Sequence, residues 1–589
     1  MSKHIVLGIS AFYHDSAAAI VQDGKIIAAA QEERFTRIKG DASFPHHAVD
    51  YCLSACAVSI EDVDDIVFYE KPLEKFERLL QSQHWTVPKS IVAFLYAMPK
   101  WLTENLWMEK GIAKALGLPK KRILFRSHHE SHASSAFYPS PFDKAAILTV
   151  DGVGEWTTAA WGIGEGNQIK LMKHMMYPNS LGLLYSAFTF YAGFKINDGE
   201  YKLMGLAPYG KPRFAELIKK ELICIGEDGS FVMNQTYFSY THGIKTINKK
   251  FEELFGKPAR KPESEITQFD MDIAASIQTV TTEVLLKMAR HVRKETGCEN
   301  LVLAGGVALN VVSMGALQRD AGFERVWIQP AAGDAGGALG AALSVWYEHN
   351  ERPVPQKDCM GGSFLGPTIP KDCKELDGIG EYLSNTALAE RVALLISQGK
   401  IVGVARGRAE WGPRALGNRS IFANAQDGET QYKLNVKIKN RESFRPFAPM
   451  VLREDAAEYF DMHGDSPYML FTYPIREERR LPVETNDNMD IYDIIKQRRS
   501  DIPAVTHVDF SARVQTVDKS DEFSYRVLRE LKKRTGYGVM VNTSFNVRGE
   551  PIVNTAEDAF RCFMATDMDY VVIGNRLFDK ATQEGRGSA

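Results

Sequence analysis

The sequence predicts an α/β protein in two parts, becoming mixed α+β in its C-terminal part. Three observations carry that prediction. Two strand–turn–strand runs of the same design stand about 140 residues apart, at HIVLGISAFYHDSAAAIVQ and AAILTVDGVGEWTTAAWGIG. Two further apolar strands, LVLAGG and VWIQPAAGD, each end in a glycine loop that opens a helix. Residues 351–370 then carry four Pro and three Gly with no apolar period, which marks the main boundary.

Size and composition bound the rest. A chain of 589 residues exceeds what one core serves, so several domains are expected. Hydrophobic content of 44% and charged content of 25% are those of a globular protein. A formal charge of −3 gives no reason to expect nucleic acid or an anionic membrane as partner. No stretch reaches about 18 uninterrupted apolar residues, so no span is expected. The seven Cys are scattered without a CxxC pair, which fits reduced thiols and a cytoplasmic location. The final GRGSA reads as a disordered tail.

In chain order, HIVLGIS is a strand, FYHDS a polar turn, AAAIVQ a strand, AspGly at 23–24 a hairpin signal and KIIAAAQEERF a third strand. AAILTV, DGVGEW, TTAAWGIG, GluGlyAsn and IKLMKHM repeat that order. The repetition suggests an internal duplication of the kind that builds the actin/Hsp70/sugar-kinase superfold, in which paired hairpins grip a nucleotide's phosphates. Residues 85–120 are apolar and aromatic at helical spacing and are expected to form core helices, with some rings available to an acceptor pocket. Residues 180–210 read as a helix, a polar loop and a second helical start. Within that loop, Glu200 and Lys202 either reach phosphate or are simply solvated. Ile273, Ile277, Val280, Val284 and Met288 mark an amphipathic helix over 271–291. Beyond the boundary, TALAERVALLISQGK is a helix and IVGVA a strand.

Chemistry concentrates in Ser127–Thr158. His128 and His132 stand four apart in a helix-forming run and share one face. His129 leaves the register open, and a His pair at this spacing is more often ordinary than metal-binding. Asp151 ends the following strand, and GVGEWTT offers backbone N–H groups and hydroxyls suited to phosphate. Gly305, Gly306 and Asn310 at one strand-to-helix turn, and Gly333 with Asp334 at the next, permit close backbone approach to a nucleotide. Between Arg406 and Arg445, nine Lys/Arg face four Asp/Glu, a net of +5 interleaved with Gly, Pro and Phe. That pattern favours a pocket for a compact polyanion over a solvated face. Asn542, Ser544, Asn546 and Arg548, with His507 and Arg513, are placed to line the same pocket, for ATP or an acyl phosphate.

LGISAFYHDSAAAI, SHHESHA, LTVDGVGEW, GEYKLMGLAPYG, LAGGVALN, QPAAGDAGGALGAA, EWGPRALGNRSI, KNRESFRPFAP and VNTSFNVRGEPIV occur in the order found in nodulation-protein-U type O-carbamoyltransferases. The chain resembles that family along its whole length. The resemblance implies an N-terminal domain like that of the tRNA threonylcarbamoyl transferases over 1–352, a linker over 353–384 and a YrdC-like domain over 385–589. It implies that carbamoyl phosphate and ATP, the latter with Mg²⁺, give carbamoyl-adenylate in the C-terminal domain. The carbamoyl group then passes to a small hydroxylated acceptor in the N-terminal one. It implies a divalent transition metal, iron(II) foremost, on His128, His132, Asp151 and Asp334. The activation-site residues it implies are Arg414, Lys439, Arg445, Arg513, Asn542 and Ser544, with Arg548 added from the same loop. His14, in the first turn, is expected to take the acceptor's proton, against the alternative of a turn His bonding backbone. No nucleic acid and no membrane is expected as partner, and a homodimer is admitted. A sugar or carboxylate kinase, an ATP-gated binding protein and a tRNA-modifying transferase are the competing readings.

Overall fold

The computed structural model describes residues 3–243, 245–373, 380–484, 489 and 491–584. The GRGSA tail lies outside them, as does part of the expected linker. The described residues divide into two compact units, one of those up to 32 and from 40 to 359, the other of those from 33 to 39 and from 360 onward.

The first unit contains two five-stranded sheets of one design. Strands β1 (Ile5–Ser10), β2 (Ala17–Gln22), β3 (Lys25–Gln31), β4 (Asp65–Phe68) and β5 (Ile123–Phe125) lie in the order β3-β2-β1-β4-β5. Strands β6 (Lys144–Val150), β7 (Thr157–Glu165), β8 (Gln168–Met176), β9 (Asn300–Ala304) and β10 (Arg325–Ile328) lie in the order β8-β7-β6-β9-β10. In each sheet the first three strands form an antiparallel meander, and the fourth and fifth join the first in parallel. This is the actin/Hsp70/sugar-kinase fold, duplicated as the paired hairpins suggest. The parallel strands β1 and β6 are buried along nearly their whole length, so they read as continuous apolar runs.

Helices fill the layers around the sheets. The 29-residue helix Gln268–Thr296 begins at a capping box, Thr267 with Asp270, and ends at Gly297 with φ of 63°. It covers the predicted 271–291 stripe. The helix Asp334–His349 is almost wholly buried. It packs on the helix His128–Phe137 so closely that a Cβ at Gly340 would lie 1.8 Å from the Ser131 carbonyl oxygen. Only Gly is therefore admitted at that contact without a shift of one helix.

Residues 85–120 depart from expectation. They do form helices, Ile91–Thr103 and Met108–Ala115, but Met98 alone is buried in the first of these. Apolar composition at helical spacing specified a helix and left its burial undetermined, because burial depends on what the fold sets against it.

The second unit is built on an eight-stranded mixed sheet. Its strands are β11 (Glu381–Tyr382), β12 (Val402–Ala405), β13 (Arg419–Asn424), β14 (Ala448–Leu452), β15 (Gln515–Val517), β16 (Val539–Ser544), β17 (Tyr570–Ile573) and β18 (Arg576–Asp579). They run in the order β11-β18-β17-β12-β13-β16-β14-β15. The helices Asn385–Ser397 and Glu522–Thr535 supply Leu388, Val392, Val527 and Leu531 to a core on the sheet. Two features differ from the expected division. Described residues from Met360 onward, placed in the linker by sequence, belong to this unit; Thr368–Ile369 pairs with Gly407–Arg408, and β11 forms a sheet edge. Residues 33–39 belong to it too, held by Arg37, which donates to the carbonyls of Pro551 (2.8 Å) and Ile552 (2.6 Å). Hydrogen bonds from a side chain to carbonyls some 500 positions away leave no local trace in composition.

Candidate functional site

In the first unit, chemistry gathers just beyond the C-terminal ends of the parallel strands, where open α/β sheets hold ligands. His14 follows β1, Tyr69 follows β4, and the His128–Phe137 helix follows β5. Asp151 follows β6, Gly306 follows β9, and Asp334 opens the helix after β10.

His128, His132, Asp151 and Asp334 are all buried, and one donor atom from each lies within 4.8 Å of every other. His128 Nε2 is 2.8 Å from Asp151 Oδ2 and 3.0 Å from His132 Nε2. Both imidazole Nε2 atoms are 3.8 Å from Asp334 Oδ1, and His132 Nε2 is 3.7 Å from Asp151 Oδ2. Donors held about 2.0–2.2 Å from one cation sit about 3–3.5 Å from each other, so the set fits a divalent metal. The Nδ1 atoms of both rings are buried without a hydrogen-bond partner among the described residues. No acceptor therefore holds a proton at either Nδ1, and both Nε2 atoms face the cluster, where a cation would take their lone pairs. A two-nitrogen, two-carboxylate set suits iron(II), zinc or manganese.

Local structure holds each donor. Glu155, a residue the sequence reading passed over, accepts from the backbone N–H of His128 (3.0 Å) and of Lys71 (2.8 Å). Its carboxylate thus caps the start of the His128 helix, where the helix dipole favours negative charge. Asp151 presents one oxygen to the cluster and accepts from Gly306 N–H at 2.8 Å with the other. Gly305, with φ of 97°, permits that approach, since a Cβ there would come 2.2 Å from Val150 O. The glycine pair expected at a nucleotide is used here to aim Asp151. Tyr69, also missed, donates to Asp334 Oδ2 at 3.4 Å. His129 is removed from the ligand question: its ring nitrogens meet Thr149 Oγ1 (2.7 Å) and Thr157 O (2.9 Å).

The electrostatics follow from crowded carboxylates. Burial by itself would raise the Asp151 carboxyl, but His128 and His132 outweigh it and hold it well below the usual range. Burial by itself would lower the His128 imidazole, yet Asp151 and Asp334 lift it to about 9. The same opposition acts on His14, whose Nε2 is 3.7 Å from Asp334 Oδ2 and whose Nδ1 is 3.0 Å from Asp15 Oδ2; it also rises to about 9. His129 moves the other way, pushed down by burial and by its two His neighbours.

Other residues expected at a nucleotide have structural partners. Asn310 caps the helix Val311–Asp320 by accepting from Ser313 N–H at 3.1 Å and exchanges hydrogen bonds with Gln278. Glu200 accepts from Ser186 Oγ (2.8 Å) and Asn197 N–H (3.1 Å) at the start of its own helix. Lys202 Nζ lies 5.8 Å from the Phe194 ring centre. Gly333 precedes Asp334 as that helix's N-cap, with only Leu309 near its open side.

In the second unit, cations gather where the sequence expected a polyanion. Arg513 is pushed well below its ordinary value by burial and by the guanidiniums of Arg414, Arg441 and Arg445. The four arginines are half-buried, and like charges kept together away from bulk water call for an anion to offset them. Arg441 was missed; its signal lay in the KNRESFRPF run, where it accompanies Arg445. Lys439 is buried and donates to the Ser544 carbonyl, Ser544 Oγ (3.2 Å), Asn546 O (3.1 Å) and Asn546 Oδ1 (2.9 Å). It therefore holds the 544–546 loop in shape, and burial and two arginines push its ammonium well down. Asn542, in central strand β16, donates to Ala415 O (3.1 Å) and Gln515 Oε1 (2.6 Å), which ties down the loop carrying Arg414. Its own Oδ1 is buried without a partner among the described residues. Arg445 and Arg548 flank Glu442 at 3.8 and 3.7 Å. His507 is buried 3.7 Å from Asp509, and burial keeps its imidazole low.

Comparison with known proteins places both halves of the chain in one family. The family described as carbamoyltransferase N-terminus matches residues 5–343, and that described as carbamoyltransferase C-terminus matches residues 393–580. A Synechocystis sp. protein of uncharacterised function is 52% identical over 99% of this chain and 97% of its own. Nodulation protein NolNO of Sinorhizobium fredii is 36% identical over 97% of this chain and 80% of its own. Nodulation protein U of Rhizobium tropici is 27% identical over 91% and 90%. With both halves of the family matched in order, this chain belongs to the carbamoyltransferases and is an enzyme of that class.

Proposed function

We propose that the protein is an ATP-dependent O-carbamoyltransferase working in two steps, one in each unit. The observation that carries the reading is the presence of a half-buried arginine cluster in one unit and a buried His–Asp cluster in the other.

In the second unit, read as the YrdC-like domain, Arg414, Arg441, Arg445 and Arg513 offset the charge of carbamoyl phosphate and ATP held together. Release of both phosphate and pyrophosphate requires one water. Water converts carbamoyl phosphate to carbamate and phosphate, and a carbamate oxygen then displaces pyrophosphate from the α-phosphorus of ATP to give carbamoyl-adenylate. The unpartnered Asn542 Oδ1 suits the amide N–H of the carbamoyl group.

In the first unit, an acceptor hydroxyl attacks the carbamoyl carbon, its proton goes to His14 Nε2, and AMP leaves. His128, His132, Asp151 and Asp334 would hold the divalent metal. When bound, that metal supplies Lewis acidity and offsets the carboxylate charge that keeps His14 protonated. Tyr69, Glu155 and Gly306 orient the donors around it. A kinase reading leaves the arginine pocket without a task.

Mixing the protein with carbamoyl phosphate and ATP, under anaerobic conditions with iron(II) supplied, tests the reading through pyrophosphate release. Release dependent on carbamoyl phosphate is expected, and its absence sinks the adenylate route. Arg445→Ala is expected to lose release by roughly a hundredfold or more, the scale of one charge-stabilising contact in a dry site. His132→Ala is expected to keep release and lose carbamoyl transfer, read by mass spectrometry across hydroxylated acceptors. Loss of release in His132→Ala would contradict the two-site division.

A further inference from the structure

We infer that the face built on the helix Ile91–Thr103 docks on an anionic lipid bilayer. This 13-residue helix, IVAFLYAMPKWLT, is apolar almost all round, and Met98 is its one buried residue. Tyr96 is 82% exposed, Val92 71% and Leu95 65%. Leu102, Trp107 and, at the end of the preceding helix Pro72–Trp85, Trp85 extend the exposed surface. An exposed apolar surface of this extent marks an interaction site rather than a scattering of surface residues.

Charge identifies the partner. From Lys89 to Arg122 there are seven Lys/Arg and two Asp/Glu, a net of +5 in a chain whose total is −3. Lys89, Lys100, Lys110 and Lys114 are exposed around the apolar residues, and Lys110 Nζ stands 4.8 Å from the Trp107 ring centre. Bases framing exposed Trp, Tyr and Leu match the interface of an anionic leaflet, with rings at headgroup depth and ammonium groups reaching the phosphates. A second copy fits poorly: two-fold pairing would set this basic face against itself. The helix Ile91–Thr103 lacks the length of a span, and no described helix is long and apolar enough to cross a membrane. Docking is therefore peripheral. The face also adjoins the loop of Asp151, since Trp85 contacts Trp156 with ring centres 5.8 Å apart.

Flotation of the full chain with phosphatidylglycerol-rich vesicles, against pure phosphatidylcholine vesicles, tests the assignment. Recovery with the anionic vesicles, its reduction by salt and a blue shift of tryptophan emission are expected. Each base at an anionic surface strengthens binding roughly fivefold, so the triple variant Lys89→Gln/Lys100→Gln/Lys110→Gln should lower partitioning about a hundredfold. The double variant Leu95→Ser/Tyr96→Ser should abolish the emission shift. Both variants should keep the wild-type melting temperature and pyrophosphate release, since their side chains lie on the surface. No recovery with anionic vesicles overturns the inference, as does equal partitioning of the triple variant. A concentration-dependent dimer that Leu95→Ser/Tyr96→Ser dissolves would assign the face to a second copy instead.

Discussion

His129 stands beside two candidate ligands and does different work from either. Its two hydrogen bonds join the His128 helix to the strands that flank Asp151. His129→Ala should therefore cost stability, about 2–4 kcal/mol from a buried ring and two hydrogen bonds, while metal binding persists. His132→Ala should do the reverse, losing metal by isothermal titration with a smaller change in melting temperature. The spacing of four residues made the His128–His132 pair legible in sequence. Which of three adjacent imidazoles faced the cluster was open from sequence spacing alone, because helical register relative to Asp151 is a tertiary fact. Glu155 and Tyr69 were missed for a related reason: each acts through a partner from a different strand end.

At the scale of elements, small residues let two site-bearing helices meet. The Asp334–His349 helix and the His128–Phe137 helix touch at Gly340 and Ser131. Gly340→Ala puts a methyl group into a carbonyl oxygen, so one helix must shift, at a cost of about 1–3 kcal/mol. That shift moves Asp334 relative to both His donors. Metal affinity and carbamoyl transfer should fall while pyrophosphate release is kept, measured by metal titration and the two half-reaction assays. Strands were the most legible elements, since buried parallel strands write themselves as apolar runs. The Ile91–Thr103 helix shows the limit of the same signal, because an apolar run reads alike whether it enters a core or leaves one.

For the whole molecule, the proposed two-step reaction, one step in each unit, predicts separable half-reactions. Chelation of divalent transition metal, with Mg²⁺ retained, should abolish transfer to the acceptor and leave carbamoyl phosphate-dependent pyrophosphate release within about twofold. Parallel loss of both activities would show that the metal serves activation as well. The total charge of −3 concealed two local basic regions of +5 each, at 406–445 and 89–122, and the second went unread. Net charge averages over exactly the distances at which local fields act.

By itself the sequence determined most of the strands and helices, that the first hairpin design occurs twice, and where residue types able to hold a metal or an anion concentrate. Those are properties of neighbours within a few turns or strand pairs, and periodicity records them. Tertiary structure decided that six strand ends converge on one cluster, that residues 33–39 join the second unit, and that an apolar helix stays outside. Each of these depends on closing loops hundreds of residues long, a matter of packing and chain entropy that no local pattern carries.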